Sequence, residues 1–115
     1  MSSRIYSLDY LNSISGGDAG FISDMVSTFI ENTPEELSQI RTFVDSGNWP
    51  KAGAAAHRFS SSLLFLGLDA LKQLSTEIED SSLQGVNLVK IPELLAQLEN
   101  GCNQAITELK ADFNV

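Results

Sequence analysis

His57 is the only histidine in this chain of 115 residues, and imidazole is the side chain that is partly neutral and nucleophilic near pH 7. It sits in Ala56-His57-Arg58-Phe59-Ser60-Ser61-Ser62-Leu63-Leu64-Phe65-Leu66-Gly67. At about 100° per helical residue, Pro50, Gly53, Ala54, Ser60, Ser61 and Leu64 fall within about 60° of it. Ala52, Ala55, Phe59, Leu63 and Leu66 fall on the opposite side. The imidazole is therefore expected on a low, smooth surface that a second protein can reach. One chemistry open to it there is phosphoryl transfer, in which the ring attacks an acyl phosphate and later passes the group on. Such a carrier needs little machinery when its partner holds the metal ion and positions the phosphate. The plain alternative is a surface histidine with no role.

Other chemistries lack their residues. One histidine and one cysteine, Cys102, about 45 residues apart, make no zinc pattern, and His57 has no second ligand at i+3 or i+4. Gly16-Gly17 has neither the lysine nor the preceding strand of a phosphate-binding loop. Ser60 or Ser61 with His57 suggests a Ser-His-Asp triad, but the sequence offers no oxyanion hole and no orienting carboxylate. No enzyme activity, cofactor or metal site of the chain's own is expected. Cys102 lies on an apolar stripe and reads as an inert packed thiol. Phe21, Met25 and Phe29 read as core rather than a ligand cage. Glu35 and Glu36 fit the electrostatics of a helix N-terminus. Trp49 and Leu64 stay open between core cover and part of a docking patch.

The bulk numbers suit one soluble domain spanning 1–115, with 43 % hydrophobic and 19 % charged residues. Fifteen acids against seven bases give a net charge of −8. The bases (Arg4, Arg41, Lys51, Arg58, Lys72, Lys90, Lys110) are scattered, so neither nucleic acid nor an anionic membrane is an expected partner. A single cysteine excludes an internal disulfide and fits a reducing compartment. No signal-like opening and no apolar run approaching the length of a membrane span are present, so a cytoplasmic protein is expected.

Helical periodicity dominates. Ser7 to Ile14 reads as a short helix capped by Ser7 and ended by Gly16-Gly17, after which Asp18 caps the next. Phe21, Ile22, Met25, Val26, Phe29 and Ile30 form a wide apolar stripe. Thr33-Pro34-Glu35-Glu36 reads as a capping box with proline at N1, starting a new helix nearly collinear with the previous one. That helix ends at Gly47, and Asn48 caps the one bearing His57, which runs from about Trp49 to Leu66 and stops at Gly67. Leu71, Leu74 and Ile78 mark the next helix, and Ile91 to Phe113 the last. Short loops between long amphipathic helices imply antiparallel neighbours: an all-α, up-down four-helix bundle with an extra short N-terminal helix.

Ala56-His57-Arg58-Phe59-Ser60-Ser61-Ser62 and the later Leu66-Gly67 resemble the signature of histidine-containing phosphotransfer (HPt) domains. Gly16-Gly17-Asp18 with Phe21 and Ile22, Phe29 with Thr33-Pro34 and Leu37, and the Ile78-Glu79 pair extend the similarity over nearly the whole chain. The resemblance implies a four-helix bundle with a phosphorylatable histidine, His57, exposed midway along a helix. It implies a place in a two-component phosphorelay, with the receiver domain of a response regulator or a hybrid sensor histidine kinase as partner. Any Mg would come from that receiver. Two positions depart from the family pattern: its lysine three residues after the histidine is Ser60, and its glycine is Ser61. Arg58, Ser60 and Ser61 are the candidate phosphate environment, although Arg58 lies about 100° round the helix from His57. Ser61 can donate a hydrogen bond to phosphate. Ser62 matches the family serine and points toward the core. Pro50, Gly53, Ala54, Ser61 and Leu64 are the expected docking centre, with Arg58 and Lys51 as a basic rim. A monomer is expected. The alternative is a non-transferring HPt-like adaptor that binds receiver or kinase domains.

Overall fold

Side chains set where the long helices begin. The Asp18 carboxylate accepts the Phe21 N–H at 3.0 Å, and the Asn48 amide oxygen accepts the Lys51 N–H at 3.4 Å, each capturing an N–H that a helix leaves unpaired. In the computed structural model, which describes residues 4–115, these caps open α2 (Ala19–Asp45) and α3 (Trp49–Phe65). A short α1 (Asp9–Ser15) precedes them; α4 (Asp69–Gln84), a 3-10 turn (Leu88–Lys90) and α5 (Ile91–Phe113) follow. Gly16 and Gly85, at φ +66° and +68°, stop α1 and α4 in the left-handed conformation that glycine adopts without a Cβ penalty. Among the described residues there is no strand.

Two boundaries differ from the sequence expectation. α1 begins at Asp9, not Ser7. The Ser7 N–H donates to the Leu66 carbonyl at 2.8 Å, which ties Ser7 to the end of α3, while its hydroxyl oxygen still accepts the Asp9 N–H at 3.2 Å at the start of α1. Thr33-Pro34 does not start a helix: α2 runs unbroken for 27 residues with Pro34 inside it. Proline removes the donor that would bond the Ile30 carbonyl and its ring crowds that carbonyl, at a cost of about 3 kcal/mol. Against that cost, Val26, Phe29, Thr33, Leu37, Ile40 and Val44 form one continuous buried stripe through the proline. Each large apolar member contributes about 1.5–3 kcal/mol by its burial, so packing of the continuous helix prevails. Glu35 and Glu36 are consequently mid-helix and have no N-terminal dipole to complement.

α2 packs on α3, α3 on α4 and α4 on α5, and α5 returns against α2, closing an up-down ring of four helices. Fully buried Phe59, Leu63, Ile78, Leu95, Leu98 and Leu109 fill its centre. Cys102 lies among them, and burial pushes its thiol up to about 12, which leaves it protonated and inert. Of the three residues read as core at the start of α2, Phe29 is buried and Met25 half-buried, whereas Phe21 is exposed. Trp49 packs partly against the core. No helix among the described residues is long and apolar enough to cross a membrane.

Candidate functional site

His57 is the middle residue of the 17-residue α3, and its side chain is 71 % exposed. Its Nδ1 lies 2.8 Å from Oε2 of Glu79 on α4. A carboxylate only accepts, so Nδ1 carries the proton and donates it, and the lone pair of the neutral ring is left on Nε2. Glu79 is thus the orienting carboxylate that the sequence did not reveal. It is 22 positions away in the chain, and only the packing of α3 on α4 brings it to the ring. The serines do not complete a triad. Among the described residues neither Ser60 nor Ser61 hydrogen-bonds to His57, and Ser60 donates its one proton elsewhere.

The seam between α3 and α4 is what holds this pair. A Cβ added at Gly53 would stand 2.7 Å from Leu83 and 3.3 Å from the Glu79 carbonyl, so only glycine leaves α4 this close without displacing Leu83. One turn further, the Ser75 hydroxyl donates to the Ala56 carbonyl at 2.8 Å and the Ser60 hydroxyl donates to the same carbonyl at 3.0 Å. The backbone beside His57 is therefore tied to α4 through a buried hydroxyl.

These contacts redistribute the expected site residues. Pro50, Ala54, Ser61 and Leu64 are exposed on the His57 face. Gly53 is buried under Leu83, so it is not part of the open surface; Leu83 itself, 57 % exposed, takes its place. Ser60 is buried and its donor is engaged, so it offers no proton to a phosphate. Arg58 is exposed but turned toward α2, where its charge partly offsets the burial that raises the Glu36 carboxyl. The Lys51 ammonium sits 5.9 Å from the centre of the Phe43 ring, also toward α2. Ser62 is half-buried and lines a 190 Å³ cavity between α2 and α3, with Phe29, Thr33, Glu36 and Phe65. His57 does not line that cavity.

A shallow depression of 210 Å³ runs from His57 past Ser61 and Leu64 to Lys72, Thr76 and Glu79. Lys72 and Thr76 were not anticipated as neighbours of His57. The spacing of Lys72, Thr76 and Glu79, at i, i+4 and i+7, does put all three on one helix face. What the spacing lacks is any indication that this face borders α3. Among the described residues no group of three or more His, Cys, Asp or Glu side chains is gathered as metal ligands would be.

An exposed imidazole in the middle of a bundle helix is the arrangement that the Ala56-His57 motif implied; its brace at Nδ1 is an addition of the tertiary structure. Residues 24–110 match the model of the Hpt domain. The chain belongs to the Hpt domain family. The matched segment contains all of α3 and α4, hence both halves of the His57–Glu79 pair. Two solved structures share the fold. Histidine-containing phosphotransfer protein B from Pseudomonas aeruginosa PAO1 is 20 % identical with a TM-score of 0.87, over 98 % of this chain and 97 % of that one. The HPT domain of the Hpt sensor hybrid histidine kinase from Shewanella is 13 % identical with a TM-score of 0.80, over 96 % of this chain and 94 % of that one. No curated protein matches the chain in sequence. As an Hpt domain the protein is a phosphorelay module of helical-bundle architecture.

Proposed function

We propose that this Hpt domain carries a phosphoryl group on Nε2 of His57 between receiver domains of a two-component phosphorelay. The observation that carries the reading is the 2.8 Å contact of Nδ1 with Glu79 beneath a ring that is 71 % exposed. In the forward step the Nε2 lone pair forms a bond to phosphorus as the P–O bond of a receiver's aspartyl phosphate breaks, and the aspartate leaves as carboxylate. Nδ1 keeps its proton, so the ring becomes positively charged. The Glu79 carboxylate stabilises that charge as it develops, without having to move. The return step reverses each bond change on a second receiver. Any Mg belongs to the receiver, and the domain acts as a carrier without catalytic machinery of its own.

The receiver docks over the His57 face in a modest, transient interface. Pro50, Ala54, Ser61 and Leu64 of α3, with Leu83 of α4, supply a low apolar surface around the ring. Response regulators and hybrid sensor kinases are the partner classes that present such receivers.

The test is incubation with a panel of phosphorylated receiver domains, followed by assay for acid-labile, base-stable phosphate on the protein. Native protein takes up label, and His57→Gln takes up none while keeping its helicity by circular dichroism. Label retained in His57→Gln overturns the assignment of the acceptor. Native protein left unlabelled by every receiver overturns transfer and leaves a binding adaptor.

A further inference from the structure

We infer that Lys72 of α4 is the cation that receives the phosphoryl group on His57, an inference that rests on the carrier reading above. A phosphoryl group brings a charge of about −1.5 to −2 at pH 7. On Nε2 it would stand across the ring from the Glu79 carboxylate, in a chain whose net charge is already −8. The protonated ring offsets one charge. The remainder calls for a base close enough to matter through water, which at physiological salt means within about 8 Å.

Most of the bases are engaged or distant. Arg4 pairs with Asp112 at 2.7 Å and Arg41 with Glu99 at 2.5 Å. Lys51 lies over Phe43, and Arg58 is turned toward Glu36. Lys90 ends the 3-10 turn and Lys110 sits in the last turn of α5, both outside the depression. Lys72 alone among the bases borders the depression that holds His57, and among the described residues it makes no ion pair.

Helix register brings it there. Gly53 meets Leu83 and His57 meets Glu79, so moving along α3 from His57 toward Leu64 means moving back along α4 from Glu79 through Thr76 to Lys72. The Lys72 Cα stands about 10 Å from that of Glu79 along the helix axis, by the rise of seven residues. Its flexible four-carbon stem closes that distance from one side, and the phosphoryl group projecting from Nε2 closes it from the other. Phosphate oxygens aimed toward Lys72 would lie over the exposed Ser61 and the half-buried Thr76, whose hydroxyls are further donors. The cation thus comes from the helix opposite His57, where Ser60 on α3 cannot supply one.

The test uses the full chain, labelled on His57 with phosphoramidate. The bond from Nε2 to phosphorus forms as the P–N bond of the reagent breaks, with ammonia as the leaving group, so no receiver is needed. The ³¹P chemical shift of the phosphohistidine is then followed against pH. In native protein the nearby ammonium favours the dianion. Lys72→Ala therefore raises the phosphoryl pKa, about 6 in an ordinary phosphoryl group, by about 0.2–0.7 of a pH unit. Lys72→Arg restores the native titration, Lys90→Ala leaves it unchanged, and about 1 M salt abolishes the difference. A Lys72→Ala titration that superimposes on the native one overturns the inference. So does a Lys72→Ala variant that slows transfer from receivers without moving the titration, which would make Lys72 a contact to the partner. If phosphoramidate labels native protein but no receiver does, the carrier reading fails while the titration still decides the role of Lys72. Failure of phosphoramidate to label His57 overturns both.

Discussion

At the α3–α4 edge Glu79 holds a single donor, Nδ1 of His57, and the other ring nitrogen faces outward. At the α5 edge two carboxylates hold the N-terminal segment: Asp112 takes Arg4 at 2.7 Å and the Tyr6 hydroxyl, and Glu108 takes the Ile5 N–H at 2.9 Å. Both clusters join distant parts of the chain through a carboxylate. They differ in what the held group has left. The Tyr6 phenol has one proton and gives it to Asp112; burial, then that hydrogen bond, pushes the phenol up to about 12, so it is no nucleophile near neutrality. Imidazole has two nitrogens, and a carboxylate that fixes one leaves the other defined and free. A carboxylate pair becomes a site for chemistry only where the held side chain keeps a second, outward-facing reactive atom.

The largest test of this contrast is at the surface around each cluster. Leu64→Glu or Ala54→Glu places a charge in the proposed docking centre and weakens receiver binding about ten-fold by titration calorimetry, without unfolding the bundle. Ala111→Glu, beside Asp112 on exposed α5, leaves affinity unchanged. Equal losses at both edges would move the interface off the His57 face.

Next in size is the brace itself. Glu79→Gln keeps a carbonyl oxygen for Nδ1–H but removes the charge, and lowers the rate of label uptake about five-fold, because a charge-assisted hydrogen bond is worth about 1 kcal/mol more than the neutral one that remains. Asp112→Asn leaves uptake at the native rate. Rapid-quench kinetics on the two variants separates them, and native uptake in Glu79→Gln would break the comparison.

The smallest effect is on stability and belongs to the other edge. The Tyr6 hydrogen bond and the Arg4 charge hold the Asp112 carboxyl below its ordinary range. A group whose folded pKa is depressed contributes stability above its unfolded pKa and loses it as pH falls through the folded one. Asp112→Asn should therefore lower the melting temperature slightly at pH 7, and the gap to native should close as pH falls below the ordinary carboxylate value. Thermal melts across that range check it; a gap that persists in acid would mean the tether is not electrostatic.

Local chemistry was legible in advance because it acts within a few residues. Asp18 and Asn48 cap helices through N–H groups three positions on, Gly16 and Gly85 stop them by backbone conformation, and His57 shares its helix face with Pro50, Ala54, Ser61 and Leu64 wherever the helix is packed. Thr33-Pro34 shows the limit of that reading. Its capping signal is genuine as a local preference, and a buried stripe longer than the signal overrode it.

By itself the sequence determined the helical segments, their order, and the one nucleophilic ring at the centre of α3, since periodicity, caps and residue type are properties of the chain's own neighbours, whereas the fusion of two segments into α2 across Pro34 came from packing. Tertiary structure decided which nitrogen of that ring is free, because Glu79 reaches Nδ1 from another helix. It also decided that Leu83 covers Gly53, that Ser60 is sealed into the seam, and that Lys72 borders the depression. Each of these depends on the axial register and rotation of α4 against α3. That register is set by many core side chains packing at once, and no short stretch of sequence encodes it alone.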